Sequence, residues 1–524
     1  MKYKIIKQFI APILSGCLLT LVFPKANCGW IAFFSLVPLL MTLQSASIKQ
    51  GFAYGMTTGI IHFSTLLYWL IPTMRWYGGI SWPLSTLILL LLVTYLALYI
   101  ALFSAITIIL AKNIYFCQFI TPAIWVALEF LRTYMLTGFP WGLLGYSQVN
   151  YLYLIQLSDI TGVYGLSFLI VYSNVVLLFL LLYFQKKNWQ KKPATLNWVF
   201  ISIPLFISIM VMSIGYGVWR VNVIDTIALQ VPQLNVKVVQ GNINQAQKWN
   251  PMFQQDCVYK YLNLSETQTN EHVDLIVWPE TATPFYFLQT NTLSKRIQVA
   301  IKQINTFFLI GSPSLTINEN GTADYYNSAY LMGPDGLVKG QYDKVHLVPY
   351  GEYVPLKKYL PFVQKIVASA GDFKSGKDSI PLPLNEYKLG IQICFEIIFP
   401  NLSRTLANQY SSDVLVNITN DAWFGKTSAP YQHFNMSIFR AIENRRSLIR
   451  SANTGISGFI DPTGKILSKT ELFVDATLTN AVPLINIETV YNRIGDTFAM
   501  VCIVIVCVLG LVIYMPKLFF RKNI

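Results

Sequence analysis

Metal-ligand spacing is missing from this sequence. Its four histidines, His62, His272, His346 and His433, stand neither near one another nor near the cysteines at intervals that hold an ion, so no metal is expected. A disulfide framework is missing too. Of seven cysteines, Cys17, Cys117, Cys502 and Cys507 lie inside apolar runs and Cys28 near the end of one, which leaves Cys257 and Cys394 in the mixed-polarity part of the chain. Two thiols make no framework, and Cys394 is expected to be free. No internal repeat or low-complexity tract stands out. Met1–Phe23 carries Lys2, Lys4 and Lys7 ahead of an apolar stretch, but no small-residue cleavage site follows before the next apolar run, so it reads as a retained first helix rather than a signal peptide. Few ionisable residues lie deep in the apolar runs, which argues against an ion-coupled transporter with a binding-only outer domain.

What is there is mostly hydrocarbon. With 54% apolar residues in 524 and a mean hydropathy of +0.46, the chain is too apolar for an ordinary soluble protein. The apolar residues gather before about Trp219 and after Asp496, leaving roughly 270 mixed-polarity residues between them, a common single-domain size. Stretches of about 20 apolar residues suit spanning helices, and the candidates are 8–24, 29–45, 51–73, 83–111, 116–136, 158–184, 197–219 and 495–516. The expected layout is a membrane domain of seven transmembrane helices over 1–219, a soluble domain over 220–490, and a closing helix with a cytoplasmic tail over 491–524.

The net charge of +14 does not require a nucleic-acid partner, because Lys186, Lys187, Lys191, Lys192, Lys517, Arg521 and Lys522 flank apolar spans. Counted alternately, the span ends rich in lysine fall on one side, and the other side's short loops carry little more than Lys25 and Arg75. The positive-inside rule then makes both termini cytoplasmic and places the middle domain outside, on the periplasmic face if the membrane is a bacterial inner membrane.

Within that domain, β-rich runs recur at Val236–Gln240, Leu275–Trp278, Phe307–Gly311, Ala329–Met332, Leu389–Cys394, Val414–Ile418 and Ile456–Ile460, with helix-compatible stretches at Glu266–His272, Thr292–Gln303 and Asn435–Arg446. Such alternation favours α/β layers over an all-β sandwich. Three of its motifs put a reactive group where an apolar run stops. Leu275–Glu280 ends in Pro279 and Glu280, a carboxylate placed to sit partly desolvated and take a proton. Tyr342–Glu352 flanks an apolar turn with Lys344 and Glu352, an ammonium that can hold a thiolate or developing oxyanion and a carboxylate to orient it. Leu389–Glu396 delivers Cys394, a thiol whose following backbone N–H groups can polarise a carbonyl. Taken singly, each has an ordinary reading as strand terminator, solvated charge or small buried hydrophobe. His346 and His433 invite a Cys–His dyad, but nothing in the sequence singles out either.

The order and context of these motifs resemble the carbon–nitrogen hydrolase (nitrilase) superfamily, and within it the apolipoprotein N-acyltransferase branch. The similarity rests on the membrane spans, Gly138-Phe139-Pro140-Trp141, Val239-Gln240-Gly241-Asn242-Ile243, Lys344-Val345-His346-Leu347-Val348-Pro349-Tyr350-Gly351-Glu352, Gly371-Asp372-Phe373-Lys374-Ser375-Gly376, Cys394 through Pro400, and Asn420 through Gly425. The resemblance implies an αββα sandwich with Glu280 as general base, Lys344 as oxyanion stabiliser and Cys394 as nucleophile. It adds the Phe395 N–H to the oxyanion hole and makes Glu352 and Glu396 supporting carboxylates. Phe395 departs from the tyrosine many members carry there. The implied reaction is ping-pong acyl transfer from a phospholipid, through a cysteine thioester, to the amine of a diacylglyceryl-cysteine lipoprotein. It needs no cofactor and is carried out by a monomer in the membrane. Candidate substrate contacts are Trp249, Trp423, Trp141, Gly138 and Arg132. Arg132 stands three residues after Glu129, which permits either a buried ion pair or a contact with lipid phosphate, and Trp141 suits an interfacial anchor as well as a ligand contact. Tyr353–Ala370, more apolar than a solvated loop, is expected to be a membrane-dipping lid or a packed surface helix. The alternative is a membrane-anchored amidase using the same three residues on a small substrate.

Overall fold

The computed structural model describes residues 2–111, 114–193, 196–266, 272–289, 292–354 and 373–520. Most of the Tyr353–Ala370 stretch, with Gly371 and Asp372, lies outside them. The chain divides into two compact units: Met1–Leu70 with Pro83–Arg220 and Ile494–Ile524, and Ile71–Trp82 with Val221–Arg493.

The first unit is helical. Among the described residues, Trp82–Leu110, Val163–Phe184 and Trp198–Ala228 are long and apolar enough to cross a membrane, as befits a membrane protein. Several apolar stretches do not become single helices. Residues 29–45 form a 3-10 turn at Gly29–Phe33 and a short helix at Val37–Leu43, and the helix beginning at Ile48 stops at Leu66. Gly162, at φ +62°, separates a single turn at Ser158–Thr161 from the helix that follows. The helix from Leu196 runs on to Ala228, past the boundary expected at 219. Close packing explains one glycine pattern: on Ile48–Leu66, a Cβ at Gly55 would lie 2.8 Å from Ala101 Cα and one at Gly59 2.6 Å from Ala97 Cα. These small residues let two backbones approach as helices in lipid do.

The second unit is two six-stranded sheets face to face. The first sheet holds β1 (Gln233–Gln240), β2 (Leu275–Val277), β3 (Phe307–Ile317), β4 (Ala323–Met332) and β5 (Val338–Asp343); the second holds β6 (Leu382–Leu384), β7 (Tyr387–Ile393), β8 (Val414–Thr419), β9 (Ser447–Ala452), β10 (Gly458–Ile460) and β11 (Ile466–Lys469). The last strand, β12 (Ala476–Pro483), returns to pair antiparallel with β1. The centre of each sheet is parallel, β1–β2–β3 in one and β7–β8–β9 in the other.

Period-two alternation decides which side chains meet. Val236, Val238, Val277 and Leu309 pack with Ile391, Ile393, Val416 and Ile418 between the sheets. Their neighbours Val239, Ile276, Phe308 and Ile310 face outward under Pro251–Glu266 and Thr292–Ile304. Each such aliphatic burial stabilises by about 1.5–3 kcal/mol. On the far side, Ala429–Asn444 buries Phe434, Ile438, Phe439 and Ile442. The result is the αββα sandwich. Parallel strands buried on both faces read as unbroken apolar runs, and their carboxyl ends are where functional groups gather in such sheets.

Candidate active site

Glu280, Lys344 and Cys394 each stand just past a strand end, after β2, β5 and β7, and all three are buried. The turn carrying Glu280 is shaped by Thr281 at φ +48° and by Gly311 on the neighbouring strand. A Cβ at Gly311 would lie 2.3 Å from the Pro279 carbonyl and 2.7 Å from Glu280 Cα, so any side chain there displaces the carboxylate. Lys248, fully buried, donates from Nζ to the Glu280 carbonyl at 3.2 Å.

The ammonium of Lys344 joins two carboxylates, 2.9 Å from Glu352 Oε1 and 3.6 Å from Glu280 Oε1. Asn327 on β4 bridges the same pair, its Nδ2 donating to Glu280 Oε1 at 2.7 Å and to Glu352 Oε1 at 2.9 Å. The Val348 N–H holds the other Glu352 oxygen at 2.8 Å. Among the described residues Glu280 Oε2 has no hydrogen-bond donor, which leaves a buried lone pair able to accept a proton. Burial alone would lower the Lys344 ammonium, but Glu352 and Glu280, with further help from Cys394 and Glu396, hold it above its ordinary value. Burial first, then the Glu280 charge and more weakly that of Asp421 push the Cys394 thiol up, against the pull of Lys344. At neutral pH it is a thiol beside a base rather than a standing thiolate.

Glu396 ties the cysteine strand to the lysine loop. Its carboxylate accepts from Ile393 N–H at 2.6 Å, Val345 N–H at 2.7 Å, His346 N–H at 3.0 Å and Tyr342 Oη at 2.9 Å. Desolvation nevertheless raises it to about 7. Cys394 itself has φ +53° and opens a 3-10 helix, Cys394–Ile398. A left-handed conformation costs a non-glycine residue about 1–2 kcal/mol, and residues so held cluster at functional sites. Being in the first turn, the Phe395 N–H has no intrahelical acceptor. The Phe395 ring packs with Phe399 and His346. Cys257 and Cys394 are both free.

Other expected residues lie elsewhere. Trp249 is half-buried at the end of Gln245–Lys248, and the residue this turn brings to Glu280 is Lys248. Trp423 meets the Tyr77 ring edge-on, 5.0 Å between centroids, and the carbonyls of Ala422 and Trp423 accept from Tyr77 Oη and Thr73 Oγ1, each at 2.9 Å. Gly138, Arg132 and Trp141 belong to the helical unit. Arg132 donates to the carbonyls of Trp141 at 2.7 Å and Gly142 at 3.3 Å, Gly138 has φ +75°, and the buried Trp141 ring sits 5.0 Å from Trp69. Glu129 Oε1 accepts instead from the Leu144 N–H at 2.7 Å, and among the described residues it forms no ion pair with Arg132.

Sequence reasoning missed Asn327, Lys248, Tyr342, Asn417 and Arg450. The signal for Arg450 was a lone charge in the otherwise buried run Ser447–Ala452; the others carry none. The His433 imidazole meets the backbone of Cys394. Its Nε2 lies 3.2 Å from the Cys394 carbonyl, and its Nδ1 lies 3.0 Å from both Asp421 Oδ1 and Arg450 Nη2. Burial and the Arg450 guanidinium lower the imidazole. Burial pushes Asp421 up, but Arg450 and His433 outweigh it and hold the carboxyl at about 2.

Residues 15–176 match the family model for the apolipoprotein N-acyltransferase N-terminal domain, and residues 235–492 match that for carbon-nitrogen hydrolase. The chain is 40% identical to an apolipoprotein N-acyltransferase of Geobacter metallireducens over 519 residues, 99% of this chain and 96% of that protein. It is 33% identical to one from Rickettsia prowazekii over 484 residues, 91% of this chain and 92% of the other. A solved carbon-nitrogen hydrolase from Helicobacter pylori G27 is 17% identical, covering 51% of this chain and 94% of its own, with a TM-score of 0.37.

Proposed function

The chain belongs to the apolipoprotein N-acyltransferase family, and from that membership and the Glu280–Lys344–Cys394 cluster we propose that it carries an acyl chain from a phospholipid to a lipoprotein's N-terminal amine. Glu280 takes the thiol proton through its unpartnered Oε2 while Cys394 Sγ attacks the ester carbonyl. The Lys344 ammonium and the Phe395 N–H hold the oxyanion. The carbon–oxygen bond breaks, the proton passes from Glu280 to the leaving alkoxide, and a lysophospholipid departs. The neutral amine of a diacylglyceryl-cysteine then attacks the thioester. An amide forms, the carbon–sulfur bond breaks, and Glu280 returns the amine's proton to sulfur. Trp249, Trp423, Trp141, Gly138 and Arg132 are the proposed substrate contacts. The site faces the periplasm, the protein sits in a bacterial inner membrane, and it works as a monomer.

The single observation carrying this reading is the buried carboxylate–ammonium pair that acts electrostatically on one thiol. Supporting it, the buried groups exclude the water that would otherwise discharge the thioester. Intact-mass analysis of the full chain in detergent tests it. Phospholipid adds the mass of one acyl chain, and a diacylglyceryl-cysteine peptide removes that mass while gaining it. A protein that stays unmodified with phospholipid but hydrolyses short amides is instead the anchored amidase.

A further inference from the structure

The Cys394 carbonyl is held from two sides. His433 Nε2 approaches it at 3.2 Å and Asn417 Nδ2 donates at 3.4 Å. A carbonyl only accepts, so the imidazole donates to it from Nε2, while Nδ1 lies 3.0 Å from both Asp421 Oδ1 and Arg450 Nη2. The Arg450 guanidinium donates also to Asp421 Oδ2 at 2.9 Å, which holds that carboxylate against the imidazole. Arg450 Nη1 donates to Asn417 Oδ1 as well, which turns that amide's N–H groups towards the carbonyls of Gln392 and Cys394. One fully buried guanidinium thus aims both donors at a single oxygen.

That oxygen belongs to the same planar peptide group as the Phe395 N–H. Carbonyl and N–H of one peptide point in opposite directions, so fixing the first fixes the second. A hydrogen bond to the carbonyl also polarises the N–H, strengthening its own bond by about 10–30%. The peptide needs such holding because Cys394, at φ +53°, lies outside the backbone regions its side chain favours.

We propose that His433 is a positioning residue for acyl transfer: by donating from Nε2 to the Cys394 carbonyl it orients and polarises the Phe395 N–H towards the developing oxyanion. This rests on Cys394 being the nucleophile. The His433 imidazole makes no proton transfer in this scheme, since its Nε2 proton stays in the hydrogen bond to the Cys394 carbonyl throughout.

Two variants of similar bulk separate the donor from the packing. His433→Met fills the space without a donor, and His433→Gln keeps an N–H at the same distance along the side chain. The full-length protein is mixed with phospholipid and the rate of thioester formation followed by intact mass across lipid concentrations, with thermal unfolding recorded for each variant. His433→Met slows acylation at saturating lipid by about 10-fold to 100-fold, less than the loss of a whole oxyanion donor, with half-saturation unchanged within about twofold. His433→Gln recovers most of that rate. A wild-type rate in His433→Met overturns the inference, as does a His433→Gln rate no better than that of His433→Met, which would mark His433 as packing alone. Either result, with the wild type acylated normally, leaves the acyl-transfer reading standing, whereas a wild type that forms no thioester removes both.

Discussion

Incubated with phospholipid, Cys394→Ser protein gains no thioester-linked acyl chain, and Glu280→Gln protein gains one about a thousandfold more slowly than the wild type. The two losses differ in kind. Without sulfur there is no thioester to form. Without the Glu280 carboxylate the sulfur remains, but its proton has nowhere to go except bulk water. Because burial and the neighbouring charge raise the Cys394 thiol above its ordinary value, its thiolate fraction falls tenfold for each pH unit below that point. The Glu280→Gln rate therefore climbs about tenfold per unit as pH rises from 7 to 9, while the wild type, whose base is built in, changes far less over that range. Removing the Glu280 charge also lowers the thiol somewhat, so the variant's curve lies nearer neutrality than burial alone would set it. Intact mass at each pH, with hydroxylamine release to identify the thioester, measures both. An undiminished Glu280→Gln rate, or one that does not respond to pH, rules out Glu280 as the base.

Much of this architecture is legible in the sequence because burial on both faces writes itself as apolar runs. Val236–Gln240 and Val414–Ile418 fall on strands, as do Leu275–Val277 and Leu389–Ile393 of the other two runs, and the turns that follow carry Glu280 and Cys394. Other strands are silent for a physical reason. In β9, Ser447–Ala452 is wholly buried yet holds two serines and an arginine, whose polar atoms are satisfied by partners far away in sequence. A pattern of hydrophobicity cannot see a hydrogen bond made across 33 residues to Asn417. Helix boundaries suffer similarly. The stretch Asn435–Arg446 overlaps a helix that runs from Ala429 to Asn444: it starts late because Pro430 in the first turn reads as a breaker but fits there, and it overruns the end, where Arg445 turns left-handed. Most of the expected helical stretch Glu266–His272 lies outside the described residues, and the helix before it, Pro251–Glu266, goes unread because its mixed polarity hides its buried face. Asn327 shows the limit most clearly. It is one polar residue among tyrosines on β4, and only the fold places it between Glu280 and Glu352.

Lys344→Met carries the second large effect, on stability as well as on rate, and a double variant separates the two. Removing the ammonium leaves Glu280 and Glu352 buried together without their shared cation. Breaking a buried pair in this way costs about 3–5 kcal/mol, because the surviving charge stays desolvated, so the thermal midpoint in detergent falls by on the order of 10 °C. Adding Glu352→Gln removes one of the stranded charges and keeps one amide oxygen, which can accept from Asn327 or from Val348, the two donors that reach different oxygens of the carboxylate. The double variant then recovers about half of the lost midpoint. Acylation does not follow it. With Lys344 gone, the oxyanion lacks its charged donor whatever the stability of the fold, and the rate stays at least about a hundredfold below wild type. If Lys344→Met with Glu352→Gln regains acylation in step with its midpoint, the lysine's part is to neutralise its neighbours and the oxyanion is held by backbone alone. If the single variant melts with the wild type, the two carboxylates share a proton once the cation is gone, and the pair then acts as its own partner.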